Sequence, residues 1–183
     1  MLAVNTESSL VPNVASSRAA AAGRGASPAA ERALVVTGAG GFLGAAISRL
    51  AVACGWRTGA VSRREPAKGV EWRGADFRNA FELGAAFSDA GVVVHSAGLA
   101  HQHGGRAQSG GGFGEINVEG TRRALLAAIE AGVGHFILIS SVSVYGSAPG
   151  VPDESFDCAP LTAYARSKYQ GELASRRIIE NQR

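Results

Sequence analysis

The stretch Ala33-Leu34-Val35-Val36-Thr37-Gly38-Ala39-Gly40-Gly41-Phe42-Leu43-Gly44 decides how the rest of the chain reads. Four apolar residues make a short strand-like run, and the glycines then make a turn. From Phe42 to Ala53 apolar residues recur at helical spacing until Gly55 stops them. Gly38, Gly41 and Gly44 thus form GxxGxxG between a strand and a helix. Each missing side chain permits something different: a tight turn, approach of the backbone to a pyrophosphate, and close packing of the helix. The N–H groups at the helix start, at Phe42 and Leu43 as well as the glycines, would face the anion. Spacing alone carries little in a chain with 25 glycines in 183 residues, where such a triple arises by chance about 0.4 to 0.5 times. Its place at the first strand-to-helix turn gives it weight.

Downstream the alternation repeats. A strand is expected near Thr58 to Val61, a helix near Ala80 to Phe87 and a strand from Val92 to His95. A helix from Ile116 to Ala131, stopped by Gly132, is followed by a strand from Phe136 to Ser140 and by a helix that starts near Ala163 and runs off the end. Continuous apolar strands alternating with helices imply strands covered on both faces, hence a parallel sheet with right-handed crossovers. The fold class expected is α/β, a doubly wound parallel sheet of the Rossmann type with helices on both faces. Gln102 to Gly114, holding Gly104-Gly105 and Gly110-Gly111-Gly112, reads as a mobile surface loop beyond the Val92–His95 strand, where such sheets take ligands. Upstream, residues 1–31 are rich in Ala and Ser, contain Pro12 and Pro28, show no sustained period and read as a disordered leader. An amphipathic targeting peptide, resting on Arg18 and Arg24, is the alternative. Residues 32–183 form the expected dinucleotide-binding domain.

Composition narrows the function. An apolar fraction of 46% suffices for one substantial core. The formal charge of +3 comes from scattered arginines, with no basic run interleaved with aromatics, which argues against nucleic acid. Cys54 and Cys158 stand far apart, and His101 and His103 have no acidic or thiol partner nearby, so no metal site is expected. No run approaches the roughly 18 apolar residues of a membrane span, and no signal peptide is recognisable. The chain reads as cytoplasmic.

The chemistry is carried farther along. Tyr164 and Lys168 form YxxxK on an expected helix, where an i, i+4 pair shares one face. An ammonium beside a phenol suits proton abstraction near neutral pH, within reach of both a substrate and a ribose. Three tyrosines and two lysines would produce YxxxK by accident in about 3% of such chains. Phe136 to Ser141 is an apolar strand ending in two hydroxyls, where this fold meets its ligands.

These segments resemble the extended short-chain dehydrogenase/reductases, the NAD-dependent epimerase/dehydratase family. Thr37 to Gly44 is similar to the family's cofactor turn, and Ser140-Ser141-Val142-Ser143-Val144-Tyr145-Gly146 to its SS-x-x-V-Y-G segment. Val93-Val94-His95-Ser96-Ala97-Gly98 resembles the strand end that passes the cofactor, and Asn117-Val118-Glu119-Gly120-Thr121 the N-V-x-G-T helix. Leu99-Ala100-His101 resembles a variant found among bacterial sugar epimerases. The resemblance implies Tyr164 as base, Lys168 beside it, and Ser141, four before Tyr145, as the hydroxyl on the reacting oxygen. Ser140 would lie toward the nicotinamide, Ala97 would lie along the cofactor, and Asn117 would be a supporting amide. His95 is expected to pack at its strand end and His135 at the entry of the next strand.

The second strand ends Val61-Ser62-Arg63-Arg64, without the carboxylate that receives the adenosine ribose in NAD-preferring relatives. The basic residues lean to a 2′-phosphate and the family to NAD, so NAD or NADP stays open, beside a solvated turn that binds nothing. Asp76 resembles the acidic residue that contacts adenine, with a helix N-cap as the alternative. The implied substrate is a nucleotide sugar such as a UDP-sugar. Transient oxidation would give a 4-epimerase-like outcome, with dehydration or net reduction open, and the assembly could be a homodimer. Family members continue well over a hundred residues farther, so the chain reads as truncated within the catalytic helix. An inactive fragment or pseudoenzyme, a carbonyl reductase and a redox-sensing regulator are the other readings.

Overall fold

The structure, a computed structural model, describes residues 2–5, 32–63, 65–76, 79–100, 111–147 and 150–182. Six strands form one sheet: β1 (Leu2–Asn5), β2 (Ala33–Thr37), β3 (Arg57–Val61), β4 (Glu71–Trp72), β5 (Val92–His95) and β6 (His135–Leu138), in the order β1-β6-β5-β2-β3-β4. The pairs from β4 across to β6 are parallel. From β2 the chain steps outward through β3 and β4, then crosses to the other side of β2 to lay down β5. Thr37 and His95, in register, end the two strands flanking this switch point. In a doubly wound sheet the crevice for ligands opens there.

Successive side chains on a strand point to opposite faces, and the two faces hold separate cores. On one, Val35, Val61, Val93, Phe136 and Leu138 meet Leu83 and Phe87 of α2 (Ala80–Phe87) and Ala124, Leu125 and Ala128 of α4 (Gly120–Glu130). On the other, Leu34, Val36, Ala60 and Val94 meet Ala51 and Ile47 of α1 (Phe42–Ala53). The absence of polar alternation in β2, all five residues of which are buried, follows from this double cover. The last helix, α5 (Ala163–Glu180), packs Ile178 and Ile179 against the first core. The doubly wound α/β class is what the alternation in the sequence implied.

Four expectations need correction. Leu2–Asn5, inside the expected leader, pair with the edge of β6 in antiparallel register from Leu2↔Leu138 to Asn5↔His135. An open strand edge presents a row of N–H and C=O groups that a neighbouring segment can satisfy whatever its hydrophobic period; residues 6–31 lie outside the described residues. Gly111 to Gly114, expected in a mobile loop, are helical: a short turn, α3 (Gly111–Phe113), runs into a π-helical segment, Gly114–Glu119, and on into α4. The weak helix propensity of glycine is overruled by packing, because Phe113 and Asn117 are both buried. The α5 helix stops at Glu180, where the Asn181 N–H donates to the Arg177 carbonyl, and does not run to the last residue. Finally β4, two residues long, gave no periodic signal, and β6 ends at Leu138, although the Ile139 N–H still donates to the His95 carbonyl at 3.1 Å.

Candidate active site

At the end of β2 the chain turns at Gly38 with φ of 69°, a conformation that L side chains rarely adopt. A Cβ there would stand 2.7 Å from the Ala97 backbone, so the turn lies directly on the chain leaving β5. A Cβ on Gly44 would stand 2.3 Å from the Gly38 carbonyl oxygen, which holds α1 close against the turn. Gly41 is the N-cap and makes no side-chain cap bond. The first N–H groups of α1 therefore have no capping side chain, an arrangement open to an anion.

Opposite stands α5. Thr162 caps it, accepting from the Ala165 N–H at 3.0 Å, which places Tyr164 in the first turn and Lys168 one turn later on the same face. Lys168 is 6% exposed, and its Nζ lies 3.9 Å from where a Cβ of Gly98 would be. Burial pulls its pKa down, and the Glu172 carboxylate one further turn along pulls it back up. Glu172 is itself 5% exposed and accepts a hydrogen bond from the Ser140 hydroxyl. The Tyr164 ring leans on Phe113, centroids 6.1 Å apart and planes at 59°.

A cleft of about 1390 Å³ joins the two sides. Gly38, Gly41, Phe42, Leu43 and Gly44 line it at one end, Ser62, Arg63 and Asp76 beside them, and Ala97, Ser140, Tyr164 and Lys168 at the other. Ser141 does not line the cleft; its Oγ accepts from the Ser143 N–H at 3.2 Å and caps the short 3-10 turn Val142–Tyr145. Arg64, His101 and His103 lie outside the described residues. The N-cap alternative for Asp76 is corrected: Asn79 caps α2, accepting from the Phe81 and Glu82 N–H groups at 3.1 and 3.4 Å, while the Asp76 N–H donates to Glu82.

Three contributors went unread in the sequence. Phe113 was the one aromatic in a glycine run, Glu172 the next i+4 step after Tyr164 and Lys168, and Trp72 donates its indole N–H to the Ser62 carbonyl at 2.9 Å, tying β4 to the end of β3. The second was recoverable from helical spacing. The first and third depend on contacts between distant segments.

The model of the NAD dependent epimerase/dehydratase family matches residues 34–182. The chain belongs to that family. Among its relatives, ceramide reductase of Caulobacter vibrioides is 33% identical over 150 residues, which are 78% of this chain and 41% of that protein. N-acetyl-alpha-D-glucosaminyl-diphospho-ditrans,octacis-undecaprenol 4-epimerase of Escherichia coli O157:H7 is 43% identical over 58 residues, 32% of this chain and 18% of that protein. Among solved structures, MoeE5 in complex with UDP-glucose and NAD superimposes with a TM-score of 0.70 at 30% identity, over 78% of this chain and 47% of that one. The chain thus spans less than half the length of these relatives. Among the described residues no group of three or more His, Cys, Asp and Glu could hold a metal ion, and no helix is long and apolar enough to cross a membrane.

Proposed function

We propose that this family member binds NAD or NADP along the cleft and acts on a nucleotide sugar by transient oxidation, with epimerisation at one carbinol carbon the outcome. The observation that carries this reading is the presence of Tyr164 and Lys168 in the same cleft as the Gly38–Gly44 turn. Bare backbone at Gly38 and Gly44 and an uncapped helix start suit a pyrophosphate, and the presence of Ser62, Arg63 and Asp76 in the cleft lining beside them supports an adenosine half there. The volume exceeds the roughly 300 to 1,000 Å³ of a single small-molecule site, leaving room for a second ligand. The relatives with UDP-sugars or sugar 4-epimerase names support a sugar nucleotide as that ligand.

In this reading Tyr164 takes the proton of a sugar hydroxyl as its carbon is oxidised to a ketone. A bound nicotinamide supplies a reversible hydride acceptor there. The Lys168 ammonium, buried at the next turn, offsets the negative charge that the Tyr164 oxygen carries before it takes that proton. Ser141, one residue beyond the cleft-lining Ser140 and with its oxygen accepting from the Ser143 N–H, keeps its own proton, and it meets the forming carbonyl oxygen only if its side chain turns into the cleft. With the ketone's other face presented, return of the hydride to carbon and of the Tyr164 proton to oxygen would complete an inversion.

A second reading, an NAD(P)H-dependent carbonyl reductase, is favoured by the ceramide reductase likeness, which covers more of this chain than the likeness to the Escherichia coli sugar epimerase. Incubation with UDP-sugars separates the two. Epimer formation without net change in nicotinamide absorbance is expected; net oxidation of NADPH with a ketone and no epimer would establish the reductase. Purified protein whose presence leaves both NADH and NADPH fluorescence unchanged would sink the cofactor claim.

A further inference from the structure

His95, the last residue of β5, is 1% exposed and stacked on Phe136 with ring centroids 5.7 Å apart. Its two ring nitrogens meet hydroxyls from opposite sides: Nδ1 lies 2.8 Å from Thr37 Oγ1 and Nε2 lies 3.2 Å from Thr121 Oγ1. The direction of every proton follows. Thr121 Oγ1 donates to the Asn117 carbonyl at 2.8 Å, an oxygen that can only accept. A hydroxyl has one proton, so toward His95 it must accept, and Nε2 carries the hydrogen. Nδ1 of the neutral ring is then the acceptor for Thr37, whose oxygen in turn accepts from the Ala97 N–H at 3.2 Å. Beyond Asn117 the chain continues: its Nδ2 donates to Ser167 Oγ at 2.9 Å, and Ser167 donates to the Tyr164 carbonyl at 2.7 Å. The same amide clasps Leu99, accepting from its N–H at 2.7 Å and donating to its carbonyl at 3.0 Å.

We propose that His95 is a positioning residue, the joint of a one-way hydrogen-bond chain that sets the glycine turn and the Tyr164 helix at a fixed separation across the cleft. One end of the chain is Thr37, whose successor Gly38 opens the turn; the other is the backbone of Tyr164 itself. Among the groups facing the ring are Thr37, Thr121 and Phe136, and the Lys168 ammonium acts on it electrostatically. Burial and that ammonium hold the ring's pKa down to about 3, so it stays neutral and the donor order is preserved. A second proton would leave Thr37 facing a donor and break the chain at its first link. The proposal rests on the reading of the cleft as a dinucleotide site.

Nitrogen NMR of protein labelled in histidine tests the chain directly. An Nε2-protonated ring at pH 8, unchanged at pH 5.5, is expected; an Nδ1-protonated ring, or one that titrates near pH 6.5, overturns it. Two variants test the positioning role. His95→Phe keeps the stacking on Phe136 and removes both polar ends, whereas His95→Gln restores one acceptor and one donor. NADH titration followed by nicotinamide fluorescence should give a Kd raised about tenfold in the Phe variant, for one to two hydrogen bonds lost, and within about threefold of the parent in the Gln variant. Equal values in all three proteins, or equal loss in both variants, overturn the role. Parent protein without response to NADH or NADPH overturns the reading of the cleft and the role with it, while the ring's protonation still decides the chain.

Discussion

The two ends of the cleft are built from different material. At the glycine turn the contacts are backbone against backbone, Gly38 on Ala97 and Gly44 on the Gly38 carbonyl, and what matters is the absence of side chains. At the Tyr164 end the contacts are side chain against side chain, converging from four segments: Phe113 from α3, Asn117 from the π-helical segment, Ser140 from beyond β6, and Lys168 and Glu172 from α5. The first kind of site fails by steric intrusion and tolerates drift elsewhere. The second fails by loss of a single chemical group, and its geometry depends on distant parts of the chain staying in register.

The sharpest way to separate the ends is Tyr164→Phe. Turnover of a UDP-sugar should fall by about 10²- to 10⁴-fold while the NADH Kd changes by less than about threefold; undiminished turnover would remove Tyr164 as the base. Next is Gly44→Ala, which sets a methyl group 2.3 Å from a backbone oxygen. Urea unfolding should show a loss of about 1 to 3 kcal/mol, and the same variant should lose NADH affinity. Full stability with full affinity would mean that the turn is looser than its backbone contacts imply.

A smaller effect joins the two ends through His95. Its folded pKa is about 3 against an ordinary value of 6.5, so between those values the unfolded chain holds a proton that the folded one does not. The contribution is whole above pH 6.5 and declines as pH falls, by about 1.4 kcal/mol per unit. Unfolding free energy measured from pH 7 to pH 5 should show that slope in the parent and lose it in His95→Phe; the same slope in both would assign it to other groups. Smallest is Phe113→Ala, which removes the ring that Tyr164 leans on. It should lower kcat about two- to tenfold with cofactor affinity unchanged, and a change in affinity alone would place Phe113 at the wrong end of the comparison.

Much of the molecule is readable from the sequence, and unevenly so. The βα alternation shows itself because strands covered on both faces read as continuous apolar runs with polar residues toward their ends, and α2 and β5 fall where the sequence puts them, Ala80–Phe87 and Val92–His95. The Tyr164/Lys168 pairing is legible because helical spacing is a local property. The helical start at Gly111 is not, because the order there comes from Phe113 burying itself and Asn117 clasping Leu99, contacts that composition does not announce. Likewise β1 and β4 are held by neighbouring strand edges and not by a period of their own. The prominent glycine triple is nearly free in so glycine-rich a chain; its weight comes from lying at the switch point between β2 and β5.

The sequence by itself determined the doubly wound class, the place of the glycine turn and the face shared by Tyr164 and Lys168, because each follows from hydrophobic periodicity or from spacing within one element. Only the tertiary structure decided that Ser141 stands outside the cleft lining that Ser140 joins, that Glu172 receives Ser140, and that His95 links Thr37 to Thr121. Those pairings join residues 26 to 58 positions apart. The partner of a buried polar group is whichever complementary group the packing of strands and helices brings within about 3 Å, and no local pattern encodes it.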